Sequence, residues 1–290
     1  MHVGSLLRLD SVVDSIDSKR KRRVVETVER SLVDFGEKKM FIHIPKNGGM
    51  TIRSSRVMRE KIMVATPPFH VSPEYTNGLH RTMRLHGEHP GNEHARWIDW
   101  DENVRKNNKA FAIVRNPWSR VVSRYEFARK VIYQEKTSDH YGETDYIKCD
   151  TFENFLESRH IWGEKEYFWH RAVRGWFPAF HYVTDLHDNV VCDILRFEHF
   201  DEDVKTYLGV IFNPEPRNVT GYKQSTYKDY YNDKTIQIIA DWYQEDIDQW
   251  GFDFDTGATK NYFMEFKPHR YLRNDGSWDC LLYTSPSPRD

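Results

Sequence analysis

The sequence is poor in cysteine: Cys149, Cys192 and Cys280 are the only three in 290 residues. Three thiols without a CxxC pair make neither a disulfide framework nor a structural zinc site, and a reducing compartment is the simplest setting. Long apolar runs are also missing. No stretch approaches the roughly 18 apolar residues of a membrane helix, and residues 1–10 hold no apolar run of signal-peptide length. The expectation is a chain with no membrane span, working in the cytoplasm, or in the Golgi lumen if an N-terminal anchor is missing from this sequence. An excess of one charge is absent too, because 42 Lys+Arg against 44 Asp+Glu leave a formal net charge of −2. That balance argues against a general polyanion or nucleic-acid binder, so any anion site must be local. What the chain does have is a charged surface and an aromatic core: 30% charged, 39% hydrophobic and 14% aromatic residues. This is a globular composition, long enough for one or two domains.

Strand-like and helix-like stretches alternate, with no internal repeat. Residues 1–36 read as a polar leader with one amphipathic helix, carrying the basic run Lys19–Arg23 and ending at Gly36. Met40–Ile44 is a short apolar run followed by Pro45, hence a buried strand. A helix is expected from Met50 to about Lys61, a loop-rich region over 66–96, and a short helix over 97–107. Phe111–Val114 is a second strand, broken by Asn116-Pro117, with a helix over 118–133. Helices follow over 152–160 and 168–176, a third strand over 190–197 and a short helix over 202–208 ended by Gly209. A tyrosine-rich loop over 222–231 and a long amphipathic helix over 234–250 ended by Gly251 complete the pattern. This order predicts an α/β fold with a central, mostly parallel sheet flanked by helices. The last twelve residues, 279–290, continue no pattern and resemble translated adapter read-through. They are read as a non-native tail that includes Cys280.

Two segments carry chemistry. The first is Ile44-Pro45-Lys46-Asn47-Gly48-Gly49-Met50-Thr51, a strand, glycine loop and helix start. Backbone N–H groups and the helix N-terminus can cradle a phosphate or sulfate there. Lys46 adds a mobile charge and Thr51 a hydroxyl. It is not a Walker A loop, because the lysine precedes the glycines. An ordinary strand-to-helix turn is the bland alternative. The second is Val114-Arg115-Asn116-Pro117-Trp118-Ser119-Arg120-Val121-Val122-Ser123-Arg124-Tyr125. Arg115 stands at a strand's carboxyl end, where open α/β sheets bind ligands. Ser123 follows two helical turns on. An Arg fork with a hydroxyl suits a phosphate, although a purely structural arginine fits the same position.

Together these segments resemble the sulfotransferases that use 3′-phosphoadenosine 5′-phosphosulfate (PAPS), in the carbohydrate group containing chondroitin, dermatan and uronyl enzymes. Ile44–Thr51 is similar to that group's 5′-phosphosulfate loop, with Met50 where Thr or Ser is usual. Val114–Tyr125 fills its 3′-phosphate segment. Weaker similarity continues through Arg174–Phe180, Asp193–Glu198, Tyr230-Tyr231, Asp246 and Gly251–Phe254. The resemblance implies a P-loop NTPase-like three-layer fold. It implies PAPS as donor, PAP as product and no metal. Lys46, Asn47, Gly48, Gly49, Met50 and Thr51 would hold the 5′ end, with Lys46 stabilising the leaving phosphate oxygen. Arg115 and Ser123 would hold the 3′-phosphate.

A base must take the acceptor's proton, and histidine titrates in the right range. His80, His86, His89 and His94 are the candidates. His89 is favoured by its place relative to Arg115, then His86, with Glu88 as a substitute base or an orienter. His86 and His89 lack the helical HExxH spacing of a zinc site. The acceptor is expected to be a glycan or a small hydroxyl-bearing molecule. Trp162, Trp169 and Trp176, seven apart, suit sugar stacking or core packing equally. Boundaries follow as a leader 1–36, a sulfotransferase domain 37–256, an extension 257–278 and the tail 279–290. Two other functions stay open: a kinase-like phosphotransferase, or a non-catalytic module binding PAP or a sulfated ligand.

Overall fold

The computed structural model describes residues 38–67, 69–85, 91–134, 150–157, 176–210 and 224–264. The expected leader, the helix over 168–176 but for Trp176, and the tail 279–290 lie outside these residues. Among the described residues four strands form one sheet in the order β2-β1-β3-β4. They are β1 Lys39–Ile42, β2 Ile62–Val64, β3 Ala110–Val114 and β4 Asp193–Arg196, and every neighbouring pair is parallel. Residue alternation sorts their side chains into two separate cores. Met40, Ile42, Ala110, Ala112, Val114 and Ile194 face one cluster, whereas Phe41, Ile62, Phe111, Ile113 and Leu195 face the other. A strand sends successive side chains to opposite faces, so two cores mean that both faces are covered.

The first core packs under α5 (Pro117–Gln134), α9 (Asp233–Trp242) and α10 (Gln244–Trp250). The second packs under α1 (Gly49–Ser54), α2 (Arg56–Arg59) and α8 (Phe200–Leu208) through Ile52, Met58, Val204 and Leu208. The remaining helices among the described residues are α3 (Pro73–Leu85), α4 (Glu102–Asn107), α6 (Phe152–Glu157) and α7 (Phe180–Val183). No helix among the described residues is long and apolar enough to cross a membrane.

Several local expectations change. The helix expected over 50–61 is two short ones, because Ser55 is extended and its hydroxyl caps Met58. Within the region 66–96, expected to be rich in loop, α3 occupies thirteen residues. Ser72 Oγ accepts from Tyr75 N at 3.1 Å, and Pro73 takes the first helical position, where a missing N–H costs nothing. The tyrosine-rich loop winds into 3₁₀ turns over Gln224–Tyr230. The long C-terminal helix kinks at Tyr243 into α9 and α10. Gly209 and Gly251 end α8 and α10 in the left-handed region, at φ 65 and 66°.

Candidate functional site

Because β1 and β3 are neighbours, the loops leaving their carboxyl ends share one end of the sheet. In the first loop Lys46 adopts φ 70°, a left-handed backbone that costs a residue with a Cβ about 1–2 kcal/mol. Two arginines of the second segment hold it. Arg115 Nη1 donates to the Lys46 carbonyl at 3.0 Å, across 69 residues of sequence. Arg120 Nε donates to the Pro45 carbonyl at 3.2 Å. Asn47 Nδ2 donates to the Ile113 carbonyl at 2.7 Å. The two segments are thus one structure.

The glycines have identifiable neighbours. Gly48 sits at φ 78°, and a Cβ there would lie 3.0 Å from the rings of Phe197 and Phe200. A Cβ on Gly49 would lie 1.9 Å from His43 Cδ2. Met50 is exposed and Thr51 half-buried at the start of α1. With six residues, α1 sums few peptide dipoles, so charged side chains supply most of the local field.

Arg115 is buried, and its Nε and Nη2 donate to Ser119 Oγ at 3.0 and 2.7 Å. Its guanidinium lies 4.2 Å from the centre of the Phe197 ring. Asn116 caps α5 by accepting from Ser119 N at 3.1 Å. Its own N–H donates to Glu198 Oε1 at 2.8 Å, and its amide donates to the carbonyls of Asp253 and Thr256 at 2.8 and 2.7 Å. Ser123 is buried one turn beyond Ser119 on the same side of α5.

Cations cluster at this end of the sheet, with the Glu198 carboxylate beside Arg115. The Lys46 ammonium rests 4.0 Å from the centre of the Phe127 ring. Burial, then the charges of Arg115, Arg124 and Lys130, pull it down to about 7. Burial and Arg120 likewise pull the buried Arg124 down to about 10. Such a cluster favours a multiply charged anion.

His86 and His89, the favoured bases, lie outside the described residues. His80 falls within α3. His94 is buried, its Nδ1 is 2.9 Å from the His43 carbonyl, and its ring centre is 4.3 Å from that of His43. An Nδ1–H donated to a carbonyl leaves Nε2 as the acceptor. Burial holds both imidazoles below their ordinary range, His43 far below. His43 packs on Gly49, so His94 reaches the lysine loop through one intervening ring.

The weaker segments converge as supports. Asp246 accepts from the N–H groups of Ala179 and Phe180 at 2.9 and 2.8 Å. Burial pushes its carboxyl up to about 6, against the pull of Arg120. Trp176 is fully buried and accepts at its carbonyl from Trp242 Nε1 at 2.7 Å, which makes it a core residue. Trp162 and Trp169 lie outside the described residues. Ser119, Arg120, Arg124 and His43 were not assigned roles from sequence. The signal was present in α5, where Arg120 and Arg124 fall among the buried residues Val121, Val122 and Tyr125.

Among the described residues no group of three or more His, Cys, Asp or Glu is arranged to hold a metal ion. A family model described as "Sulfotransferase family" matches residues 30–253. Comparisons with curated proteins and with solved structures returned no match. The match covers more than half of the chain and contains both segments that meet at Lys46, and the chain therefore belongs to the sulfotransferase family.

Proposed function

We propose that this sulfotransferase moves a sulfuryl group from PAPS to a hydroxyl of a carbohydrate acceptor, by in-line transfer with a histidine base on a P-loop NTPase-like fold. The observation that carries this reading is the bond from Arg115 to the Lys46 carbonyl, which joins two phosphate-suited segments into one cationic cluster. The donor set fits a nucleotide bearing two separate anionic groups. Lys46, Asn47, Gly48, Gly49, Met50 and Thr51 hold the 5′ end, and Arg115 and Ser123 the 3′-phosphate.

The bound donor supplies the sulfuryl group on a phosphate leaving group. Sulfuryl transfer, like phosphoryl transfer, rests on alignment and charge stabilisation more than on covalent catalysis. Lys46 stabilises charge on the departing oxygen, a role whose loss typically costs about 10²–10³ in kcat. The base takes the acceptor proton. His89 and His86 are proposed for this step, and His94 joins them because its neutral, acceptor-ready Nε2 is supported by the Nδ1 contact. Alanine at the true base should lower kcat by about 10²–10⁴ and leave PAP binding near normal. If all three single variants stay active, a histidine base is ruled out and Glu88 is next.

Calorimetric titration with PAP and with ATP, followed by transfer from labelled PAPS to glycans and small alcohols, tests the whole reading. Tight PAP binding with transfer to a sugar hydroxyl is expected. Preference for ATP would favour a kinase-like enzyme, and PAP binding without transfer a non-catalytic module.

A further inference from the structure

The geometry points to Arg120 as a positioning residue for the donor loop, acting through the backbone carbonyl of Pro45 with Asp246 as its countercharge. The inference rests on the reading of the Lys46 loop as the donor site. Both side chains are almost completely excluded from solvent, at 0% relative exposure each. Arg120 Nε donates to the Pro45 carbonyl at 3.2 Å, and Nη1 donates to the Phe177 carbonyl at 3.0 Å. Asp246 Oδ2 stands 3.9 Å from Nη1 and also accepts from Ala179 N. One guanidinium therefore joins three pieces of chain: the donor loop, the segment entering α7, and α10.

Packing alone does not account for this arrangement. Arg120 Nη2 is buried without a hydrogen-bond partner among the described residues. A buried ion pair with an unmet donor contributes little to stability, and apolar residues of similar volume often do as well. What an apolar residue cannot do is grip a carbonyl. In a planar trans peptide the carbonyl and the following N–H point in opposite directions. With the Pro45 carbonyl drawn to Arg120 and the Lys46 carbonyl to Arg115, the N–H of Lys46 points away from the Arg120 guanidinium and the N–H of Asn47 away from that of Arg115. The strained φ of Lys46 lies between these two anchors. Arg120 never needs to touch the donor; it fixes the peptide plane on one side of the residue that does.

The test uses the whole chain and two variants. Arg120→Lys keeps the charge that Asp246 requires but loses the fork that spans two carbonyls. Arg120→Met with Asp246→Asn removes both charges together, which avoids stranding a buried carboxylate. Three readouts are taken: the thermal midpoint, the amide NMR shifts of residues 46–49 without ligand, and the Kd of PAP alongside kcat at saturating PAPS. The expected result is that loop amide shifts move in both variants and PAP Kd rises about tenfold or more, as for loss of one charged hydrogen bond. The change in kcat at saturation should be much smaller than the change in Kd. A merely structural role would lower the midpoint while leaving loop shifts and Kd near wild type in the folded fraction, and that outcome overturns the inference. If the double variant does not fold, Arg120→Lys decides alone by the same criteria. If the wild-type chain fails to bind PAP, the donor reading falls, and the loop shifts still decide whether Arg120 sets the loop.

Discussion

At the scale of single residues, Lys46 makes the sharpest prediction. Its ammonium is depressed to about 7, chiefly by burial and then by neighbouring cations. Above pH 7 the lysine of the free protein is therefore mostly neutral, and a bound polyanion must raise its pKa to recharge it. PAP binding should take up a proton, and affinity should fall with rising pH between 7 and 9, approaching tenfold per unit. The donor's own phosphate protons, with pKa near 6, lie below that window. Calorimetry in buffers of different ionisation enthalpy measures the uptake, and a flat Kd from pH 7 to 9 would refute it. Gly49 makes a second prediction. A Cβ there would collide with the His43 ring, which is held between Phe41 and His94. Gly49→Ala should cost about 1–3 kcal/mol of stability and weaken PAP binding, with partial recovery when His43 is also made Ala. A wild-type thermal midpoint for Gly49→Ala would show that the ring has room to move. Lys46 and Arg115 were legible in the sequence because each stands in a short contiguous segment of recognisable chemistry. His43 was not, since its role exists only once the strand and glycine loop are folded against each other.

Among the secondary-structure elements, the strands were readable because β1 from Met40 onward and the whole of β3 are apolar runs, buried on both faces of the sheet. β2 was missed because it has only three residues, and its pairing with β1 is tertiary information. α3 is hidden in the sequence by Pro73 and Gly78, residue types that favour turns and loops. Pro73 in fact opens the helix, and Gly78 sits where a Cβ would meet nothing within 4 Å. The kink at Tyr243 has no signature in the periodicity on either side. The N-terminus of α9 allows a test that separates fold from site. Asn232 and Thr235 form a reciprocal cap: Asn232 Oδ1 accepts from Thr235 N at 3.0 Å, and Thr235 Oγ1 accepts from Asn232 N at 2.9 Å. Asn232→Ala should cost about 0.5–2 kcal/mol and lower Tm by several degrees, while leaving the Kd of PAP unchanged. A large change in that Kd would mean that α9 is coupled to the site more tightly than its position implies.

At the scale of the whole molecule, a chain of net charge −2 concentrates Lys46, Arg115, Arg124 and Lys130 at one end of its sheet. On the proposed reading, in which protein cations rather than a metal meet both phosphates, PAP binding should weaken with added salt and persist in EDTA. Loss of binding in EDTA would contradict that picture. The same end of the sheet is fastened by distant chain, for Asn116 donates to the carbonyls of Asp253 and Thr256. During synthesis, at about 5–20 residues per second, roughly 10–40 s separate the emergence of Lys46 from that of Thr256. A nascent chain paused before Asp253 carries both Lys46 and Arg115 but lacks the carbonyls that anchor the turn between β3 and α5. Competence to hold a nucleotide should thus arrive late in translation, long after the residues proposed to touch it have left the ribosome.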